Sequence, residues 1–262
     1  MKITILTLFP ELFTGFLTNS IIKRALAKQQ VNIEIVNIRD FTIDKHGRVD
    51  GPPVGGGAGL IMKCQPVIDC LKSVKKEDSH VVLLSPRGQT YNQIKARHYA
   101  KNYEHLILIC GHYEGTDERI NKYADELISI GDYILTGGEI GAMAISDSII
   151  RLIDGVIAED SIKEESFENQ LLEYPQYSEP FSYEGETIPD ILYSGNHQAI
   201  AKWRKKQSLR ITKKYRPDLL TNYKFSQEEL ELLKELDSNK TPKWEKEAIS
   251  KGHKFIKKNE AD

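Results

Sequence analysis

The sequence predicts an α/β protein built on a mainly parallel β-sheet, followed by a small helical C-terminal domain. Short apolar runs alternate with helix-periodic stretches up to about residue 157. Most of these runs are continuously apolar, which is typical of strands covered on both faces. A stretch rich in Pro, Tyr and Gly then precedes three helix-periodic segments. We therefore expect three parts: residues 1–157, a flexible acidic linker over residues 158–172, and a helical domain over residues 173–262.

The individual elements follow from periodicity and from the residues that interrupt it. Strands are predicted at residues 2–8, 31–38, 80–84 and 105–110. Helices are predicted at residues 11–29, 66–76 and 91–101, with a shorter one ending at Tyr123. Phe9-Pro10 ends the first strand, because proline has no N–H for the ladder. Thr116 or Asp117 can cap the short helix. The C-terminal helices are predicted at residues 196–210, 226–236 and 242–256, with a frayed tail from Lys257.

Residues 128–143, ISIGDYILTGGEIGAM, are the stretch around which we organise the sheet. They begin apolar, as a strand does, break at Gly137 and Gly138, and become helical from Glu139 to Asp154. Such a break leaves several backbone N–H groups without internal partners. The turn can therefore surround a small polar ligand, although a tight connection without a ligand has the same pattern.

Three glycine-bearing loops follow strand-like runs, after Leu84, Cys110 and Leu135. Ligands bind at the carboxyl ends of the strands in open α/β sheets. Loops that converge there make a pocket of backbone donors and acceptors, so a ligand pocket is the favoured interpretation. A further loop, residues 39–60, contains DGPPVGGGAG, and its glycines and prolines exclude regular structure. A loop of this length in a compact domain is usually functional or disordered.

Several familiar sites are absent from the sequence. There is no GxxxxGK[ST], no GxGxxG after the first strand, no HExxH, no CxxC and no GxSxG. Cys110, His112 and Glu114 would point to one side of an extended segment, but a fourth ligand is missing, so we predict no metal. Any chemistry therefore rests on carboxylates, arginine and backbone groups. Cys64 and Cys70, like Cys110, are expected to be reduced thiols.

The charges are distributed unevenly. The 262 residues have a net charge of −2, but residues 196–216 carry eight Lys or Arg and no acid. Such a block favours contact with nucleic acid, although a merely solvated helix face has the same composition. No apolar run approaches the roughly 20 residues that cross a bilayer, and no cleavable signal precedes the first strand. We expect a cytoplasmic protein with no membrane partner.

Seven segments carry a family resemblance in their order and spacing. They are GGG at 55–57, LLSPRG at 83–88, CGHYEGTDERI at 110–120, SIGDYILTGGE at 129–139, EESF at 164–167, LEYPQYSEP at 172–180 and SGNHQAIAKWRKKQSL at 194–209. Together they resemble the bacterial tRNA (guanine-N1)-methyltransferase (TrmD) family of the SPOUT methyltransferases. The resemblance runs from residue 2 to about residue 216, and the last forty residues match more loosely.

The resemblance implies a SPOUT-type sheet with a deep trefoil knot in the half after His80, an S-adenosylmethionine (SAM) site inside it, and an obligate homodimer. It also implies methylation of N1 of the guanosine on the 3′ side of the tRNA anticodon. Adenine needs apolar walls and main-chain hydrogen bonds, which agrees with the composition of these loops. The implied cofactor-binding residues are Leu83, Leu84, Ser85, Pro86, Gly111, Tyr113, Glu114, Gly115, Ile130, Gly131, Asp132, Tyr133, Ile134, Leu135, Gly137 and Gly138.

The resemblance also implies two catalytic residues. Guanine N1 carries a proton that must leave, so a carboxylate base is needed, and an arginine that holds O6 would stabilise the developing charge. Arg151 matches the family's arginine. Glu165 stands where the family has an aspartate, which is a departure by one methylene. An exposed helix-end arginine and a different base are the alternatives for these two positions.

The implied tRNA contacts lie in the glycine-rich loop, in the linker and on the basic helix, which would hold the anticodon stem through its phosphates. They are Gly55, Gly56, Gly57, Ser166, Lys202, Arg204, Lys205 and Arg210. Two other functions stay open on the sequence: a SPOUT methyltransferase for another RNA, and an RNA-binding homologue with impaired catalysis, which Glu165 favours.

Overall fold

The computed structural model describes residues 1–238 and 240–259. The chain forms two compact units that divide after Glu159, close to the start of the predicted linker. The final three residues of the tail that we expected to be frayed lie outside the described residues. The helix that precedes them continues to Asn259.

The first unit contains seven strands. They are β1 (Lys2–Thr7), β2 (Asn32–Asn37), β3 (Asp50–Gly51), β4 (Ile61–Met62), β5 (Ser79–Thr90), β6 (His105–Ile109) and β7 (Glu126–Ser129). Five of them form one parallel sheet in the order β2-β1-β6-β5-β7. Strands β3 and β4 form a separate antiparallel pair. A short ladder therefore joins the middle of the long loop predicted over residues 39–60 to the residues that follow it. The predicted α/β class with a mainly parallel sheet is confirmed, whereas the trefoil knot stays a prediction.

Helices cover both faces of the sheet. They are α1 (Thr14–Thr18), α2 (Ser20–Ala27), α3 (Cys64–Val74), α4 (Gln93–Asn102) and α5 (Glu139–Ile150), together with short 3-10 turns at Pro10–Phe13, Ile38–Phe41 and Glu118–Tyr123. Side chains of a strand alternate between faces. In β6, Leu106 and Leu108 pack in the cluster that includes α5, while Ile107 and Ile109 pack in the cluster that includes α3. Both faces are apolar for this reason, which explains the continuous apolar runs in the sequence.

Two strand boundaries differ from the sequence predictions. Strand β5 does not end at Leu84. Its pairing with β7 skips residues 85–88 and resumes at Gln89, so these residues bulge out of the ladder. A Cβ on Gly88 would lie 2.3 Å from the backbone nitrogen of Ile128, and only glycine permits that approach. Strand β7 ends at Ser129, so Leu135 belongs to a loop and not to a strand end.

Two helix predictions were also too long. The helix expected over residues 11–29 breaks at Asn19, which is extended, and Ser20 has a φ of +53°. Helix α5 ends at Ile150, with Arg151 as its C-cap, and not at Asp154. Beyond it, Leu152 and Ile153 donate to the carbonyls three residues before them, which tightens the chain into turns.

The second unit is helical and centred on one long helix. Its elements are α6 (Glu159–Lys163), which begins at the last residue of the first unit, β8 (Ser182–Tyr183), β9 (Glu186–Thr187), 3-10 turns at Asp190–Tyr193 and Pro217–Leu220, α7 (His197–Tyr215), α8 (Gln227–Asp237) and α9 (Lys243–Asn259). Trp203 and Leu209 of α7 anchor two small cores. Leu171, near the end of the predicted linker, is buried in the second of them, and the backbone N–H of Leu172 donates to Thr212 at 2.9 Å.

Candidate active site

A cavity of 540 Å³ opens at the carboxyl ends of β5, β6 and β7. Its walls are the bulge of β5, the loop that follows β6, and the loop that joins β7 to α5. These are the three loops that the sequence singled out, although two of them begin at different residues than predicted. The cavity lies wholly within the first unit.

The loop after β6 and the start of α5 lie in direct backbone contact. The N–H of Gly138 donates to the carbonyl of Gly111 at 2.8 Å, and His112 and Gly137 form an antiparallel bridge. A Cβ on Gly138 would lie 2.9 Å from the Cα of Cys110. Glycine is required at this point because the two backbones approach too closely for a side chain.

A second wall, residues 130–135, carries apolar side chains, of which Ile130 packs against the core while Tyr133, Ile134 and Leu135 are exposed. The Ser129 hydroxyl donates to the carbonyl of Gly131 at 3.0 Å, which fixes the turn after β7. Tyr133 and Leu135 line the cavity, and Ile134 is 83% exposed. Their apolar character led us to predict the end of a strand here, but in the structure they form a loop that lines the cavity.

The loop that follows β6 is also hydrogen-bonded to the end of the glycine-rich loop and to β4. The N–H of Glu114 donates to the carbonyl of Leu60 at 3.0 Å, and the N–H of Met62 donates to the carbonyl of Gly115, also at 3.0 Å. Tyr113 adopts a φ of +58°. Burial, and next hydrogen bonding to Asp50, the first residue of β3, raise the pKa of the Tyr113 hydroxyl. The cavity wall and the glycine-rich loop therefore form one hydrogen-bonded assembly.

A buried carboxylate lies beside the cavity. Glu139, the first residue of α5, is 3% exposed and accepts a hydrogen bond from Thr7 at 2.8 Å. Its other oxygen is 4.0 Å from Nδ1 of His112, which is buried and has no hydrogen-bond partner among the described residues. Burial, and next the charge of Glu139, raise the pKa of Cys110 well above its usual range, so this thiol stays protonated.

Fourteen of the sixteen cofactor-binding residues predicted by the resemblance line this cavity. Leu83 does not: it is 1% exposed and packs in the core cluster on the face of α3. Asp132 is exposed and lies beside the lining residues Gly131 and Tyr133. The sequence reasoning missed several polar lining residues, although all of them lie on or next to the same three loops. They are Arg87, His112, Thr116, Asn121, Ser129 and Thr136.

The two predicted catalytic residues belong to different units. Arg151 caps α5 and is half-buried. Glu165 is half-buried in the second unit, and its N–H donates to the carbonyl of Ile162 at 3.2 Å. The neighbouring Ser166 hydroxyl accepts from the N–H of Glu173 at 3.0 Å. Their catalytic roles stay predictions.

The predicted tRNA contacts differ in their freedom to meet a ligand. Gly55, Gly56 and Gly57 are exposed, with φ values of +95°, +92° and +130°. On α7, Lys202 lies over the Trp244 ring at 5.0 Å, and Lys205 contacts Glu229 at 3.2 Å.

The two arginines of that helix are also held by neighbours. Arg204 stacks on Tyr174 at 4.7 Å, and exposed Arg210 bonds Gln207 at 2.6 Å. Contacts within the unit therefore engage much of this basic surface.

Metal ligands and cysteines are arranged without a cluster in the described residues. These residues contain no group of three or more His, Cys, Asp or Glu arranged to hold a metal ion, and Cys64, Cys70 and Cys110 are free thiols. No helix among them has both the length and the apolar character required to span a membrane.

Known proteins resemble this chain over most of its length. A family model described as tRNA (guanine-1)-methyltransferase TrmD matches residues 1–222. Proteins named tRNA (guanine-N(1)-)-methyltransferase are similar to it: one from Clostridium botulinum (strain 657 / Type Ba4) is 54% identical over 239 residues, covering 90% of this chain and 99% of the relative. One from Malacoplasma penetrans (strain HF-2) is 55% identical over 223 residues, covering 85% and 98%. One from Dictyoglomus turgidum (strain DSM 6724 / Z-1310) is 52% identical over 237 residues, covering 90% and 96%. The chain belongs to the tRNA (guanine-1)-methyltransferase TrmD family.

Proposed function

We propose that this protein transfers the methyl group of SAM to N1 of the guanosine 3′ of the anticodon in tRNA. The observation that carries the proposal is the cavity at the carboxyl ends of β5, β6 and β7, in a chain that belongs to this methyltransferase family. Its volume of 540 Å³ falls within the range of small-molecule sites.

The residues of the cavity suit SAM. Leu84, Ile130 and Leu135 offer apolar surface to a flat adenine, and the adjoining loop amides offer hydrogen bonds. A Cβ on the lining residue Gly141 would lie 3.4 Å from Leu84, so the absence of a side chain there widens the cavity. Glu114 supplies a carboxylate that can balance the positive charge of the cofactor. When bound, SAM supplies an electrophilic methyl group.

The chain's own residues then handle the proton. Glu165 accepts the proton that leaves guanine N1 as the N–CH₃ bond forms, which leaves the base neutral. Arg151 donates hydrogen bonds to O6, where negative charge develops as N1 loses its proton. The glycine-rich loop lets backbone approach the base closely, because glycines present no side chain. An unpaired anticodon-loop base can be unstacked at little cost.

We infer further that the protein acts as a homodimer. The two halves of each active site then come from different subunits, with Arg151 and Glu165 acting across the interface. Apolar side chains exposed around the cavity support this inference, because large exposed apolar residues often mark an interaction surface. Ile134 is 83% exposed and Ile140 is 56% exposed. The three free thiols are typical of a reducing compartment, and we assign the reaction to the cytoplasm.

The test is methyl transfer from labelled SAM to an unmodified tRNA transcript with G on the 3′ side of the anticodon. The expected product is 1-methylguanosine at that position, and a transcript with A there is the matched control that should stay unlabelled. Labelling of another nucleoside, or transfer to ribosomal RNA but not to tRNA, would contradict the proposal. SAM binding without transfer to any RNA would instead support the impaired homologue.

A further inference from the structure

A second cavity, of 390 Å³, lies wholly within the second unit. One side is formed by the segment over residues 174–193, and the other by the first two turns of α7. The sequence predicted only an extended loop at residues 173–194, and neither the cofactor site nor the predicted catalytic residues use this cavity. Its lining is unusual for a surface groove because tyrosine rings and an arginine share it.

Three tyrosines, Tyr174, Tyr177 and Tyr193, line this cavity. The Tyr193 ring is held in place: it packs against Phe181 at 5.5 Å, and its hydroxyl donates to Glu179 at 3.3 Å. Tyr177 is 46% exposed. The cavity therefore offers one fixed and one accessible aromatic face, which suits a flat ligand that stacks.

Arg204 forms part of the wall on α7. Its guanidinium stacks on Tyr174 at 4.7 Å, and Nη1 lies 3.4 Å from Glu164. These contacts hold the guanidinium against the Tyr174 ring. Its Nε is buried and has no hydrogen-bond partner among the described residues. A buried donor without an acceptor is costly, which favours a shift of the Arg204 side chain towards an acceptor that a ligand brings into the cavity.

The lining narrows the class of ligand. A phosphate alone would make no use of the aromatic walls and would face the Glu179 carboxylate. An aliphatic ligand would offer no acceptor to the Arg204 side chain. A nucleobase has a flat face for stacking, ring and carbonyl acceptors for arginine, and amino or imino donors for a carboxylate. Exposed basic residues of the same helix, such as Arg210 and Lys214, would attract the phosphates that flank such a base.

We propose that this cavity binds an unpaired nucleobase of the tRNA, other than the guanosine that accepts the methyl group. The proposal rests on tRNA being the substrate. It gives Arg204 a different role from the one predicted by the resemblance: the side chain forms the wall of a base pocket and does not grip a stem phosphate.

The experiment pairs protein variants with tRNAs that lack one base. The full-length protein is titrated with unmodified tRNA transcripts, each with a single abasic nucleotide in the anticodon loop, and affinity is measured by fluorescence anisotropy at fixed salt. Tyr177→Ala should weaken binding of intact tRNA about tenfold, within the range that one base–aromatic stack contributes. One abasic tRNA should lose the same factor with wild-type protein and lose nothing more with Tyr177→Ala.

Two further variants separate this result from a folding defect. Ala201→Phe, on the exposed α7 wall, should fill the cavity and reproduce the same non-additive pattern. Tyr183→Ala removes a tyrosine that is 68% exposed in the same unit and does not line the cavity, so its affinity should equal that of wild type.

Several results would overturn the proposal. Losses that simply add at every loop position would mean that no base occupies the cavity, even if the wild-type protein methylates tRNA normally. Coupling only at the acceptor guanosine would mean that the cavity holds the reacting base itself. A change of oligomeric state in Tyr177→Ala with unchanged tRNA affinity would indicate that a second copy of the chain occupies it. Failure of wild-type protein both to bind and to methylate tRNA would reject the substrate as well.

Discussion

Replacing Gly138 by alanine tests how closely the two backbones beside the 540 Å³ cavity of the first unit are packed. Gly138 has a φ of −79° and a ψ of −6°, so alanine adds no backbone strain. The cost comes from contact, because the new Cβ would lie 2.9 Å from the Cα of Cys110 and 3.1 Å from the backbone nitrogen of Gly111. Both contacts are with backbone atoms, which cannot rotate away.

The size of the effect follows from these distances. Carbon atoms in good contact are about 3.5–4.0 Å apart, so the two segments must separate by roughly half an ångström. Overpacking of this kind typically costs about 1–3 kcal/mol. For a chain of this size we expect the Tm to fall by about 2–12 °C. The shift also lengthens the 2.8 Å bond from Gly138 to Gly111, which moves two loops that line the cavity. Each 1.4 kcal/mol lost from cofactor binding lowers affinity about tenfold.

Thermal unfolding and calorimetric titration with SAM measure the two effects. Gly111→Ala is the matched control for stability, because its Cβ would lie 3.5 Å from both the Leu84 carbonyl and Thr116, at ordinary contact distance. Its Tm should stay within about 2 °C of wild type, since substitutions without steric conflict change stability little. Gly111 lines the cavity, so only its Tm serves as the control. Equal Tm values for Gly138→Ala and wild type, or an equal fall in both variants, would refute the packing argument.

Three further predictions concern the reaction, the assembly and pH. Glu165→Gln should lower the single-turnover rate by at least about 10²-fold, while Glu164→Gln should be mild; the reverse order would move the base one residue earlier. Mixing Arg151→Ala protein with Gly138→Val protein should restore up to about a quarter of wild-type activity. In a random mixture about half of the dimers contain one subunit of each kind, and one of the two sites in such a dimer is intact. A fully active monomer, detected by light scattering, would contradict the shared site. Burial lowers the pKa of His105, so its contribution to stability is present above about pH 6.5 and lost as pH falls from there towards its folded pKa. Unfolding titrations between about pH 7 and pH 5 should lose less stability in His105→Gln than in wild type, and parallel curves would exclude this source.

The sequence predicted the central strands of the sheet well because they are buried on both faces. All five residues of β6 are buried, and the four from Leu106 to Ile109 are apolar, a pattern that is visible in one dimension. The sequence could not predict the continuation of β5 to Thr90, because Ser-Pro-Arg-Gly looks like the end of a strand. The pairing resumes only because β7 is present to receive Gln89, and that is a property of the folded sheet.

The same distinction separates the two cavities. The loops around the 540 Å³ cavity could be predicted because their glycines mark sharp breaks in the chain, as at Gly138. The apolar segment up to Leu135 was wrongly predicted to be a strand, because the sequence does not distinguish apolar side chains that line a cavity from those that pack in a core. The cavity beside Arg204 has no local signal. It depends on tyrosines from an irregular segment meeting the side of α7, and only tertiary packing brings these together.

The residues that line the 540 Å³ cavity are synthesised before the second unit during translation of the chain. Every residue that lines it lies between residues 61 and 141, and the second unit begins only at residue 160. The material of the cavity therefore leaves the ribosome before any of the second unit does. A ligand that binds only the folded state stabilises it by about 2.7 kcal/mol when its free concentration is 100 times its Kd. The proposed ligand SAM would stabilise the folded first unit in this way, and every residue of its cavity is translated before the basic helix α7.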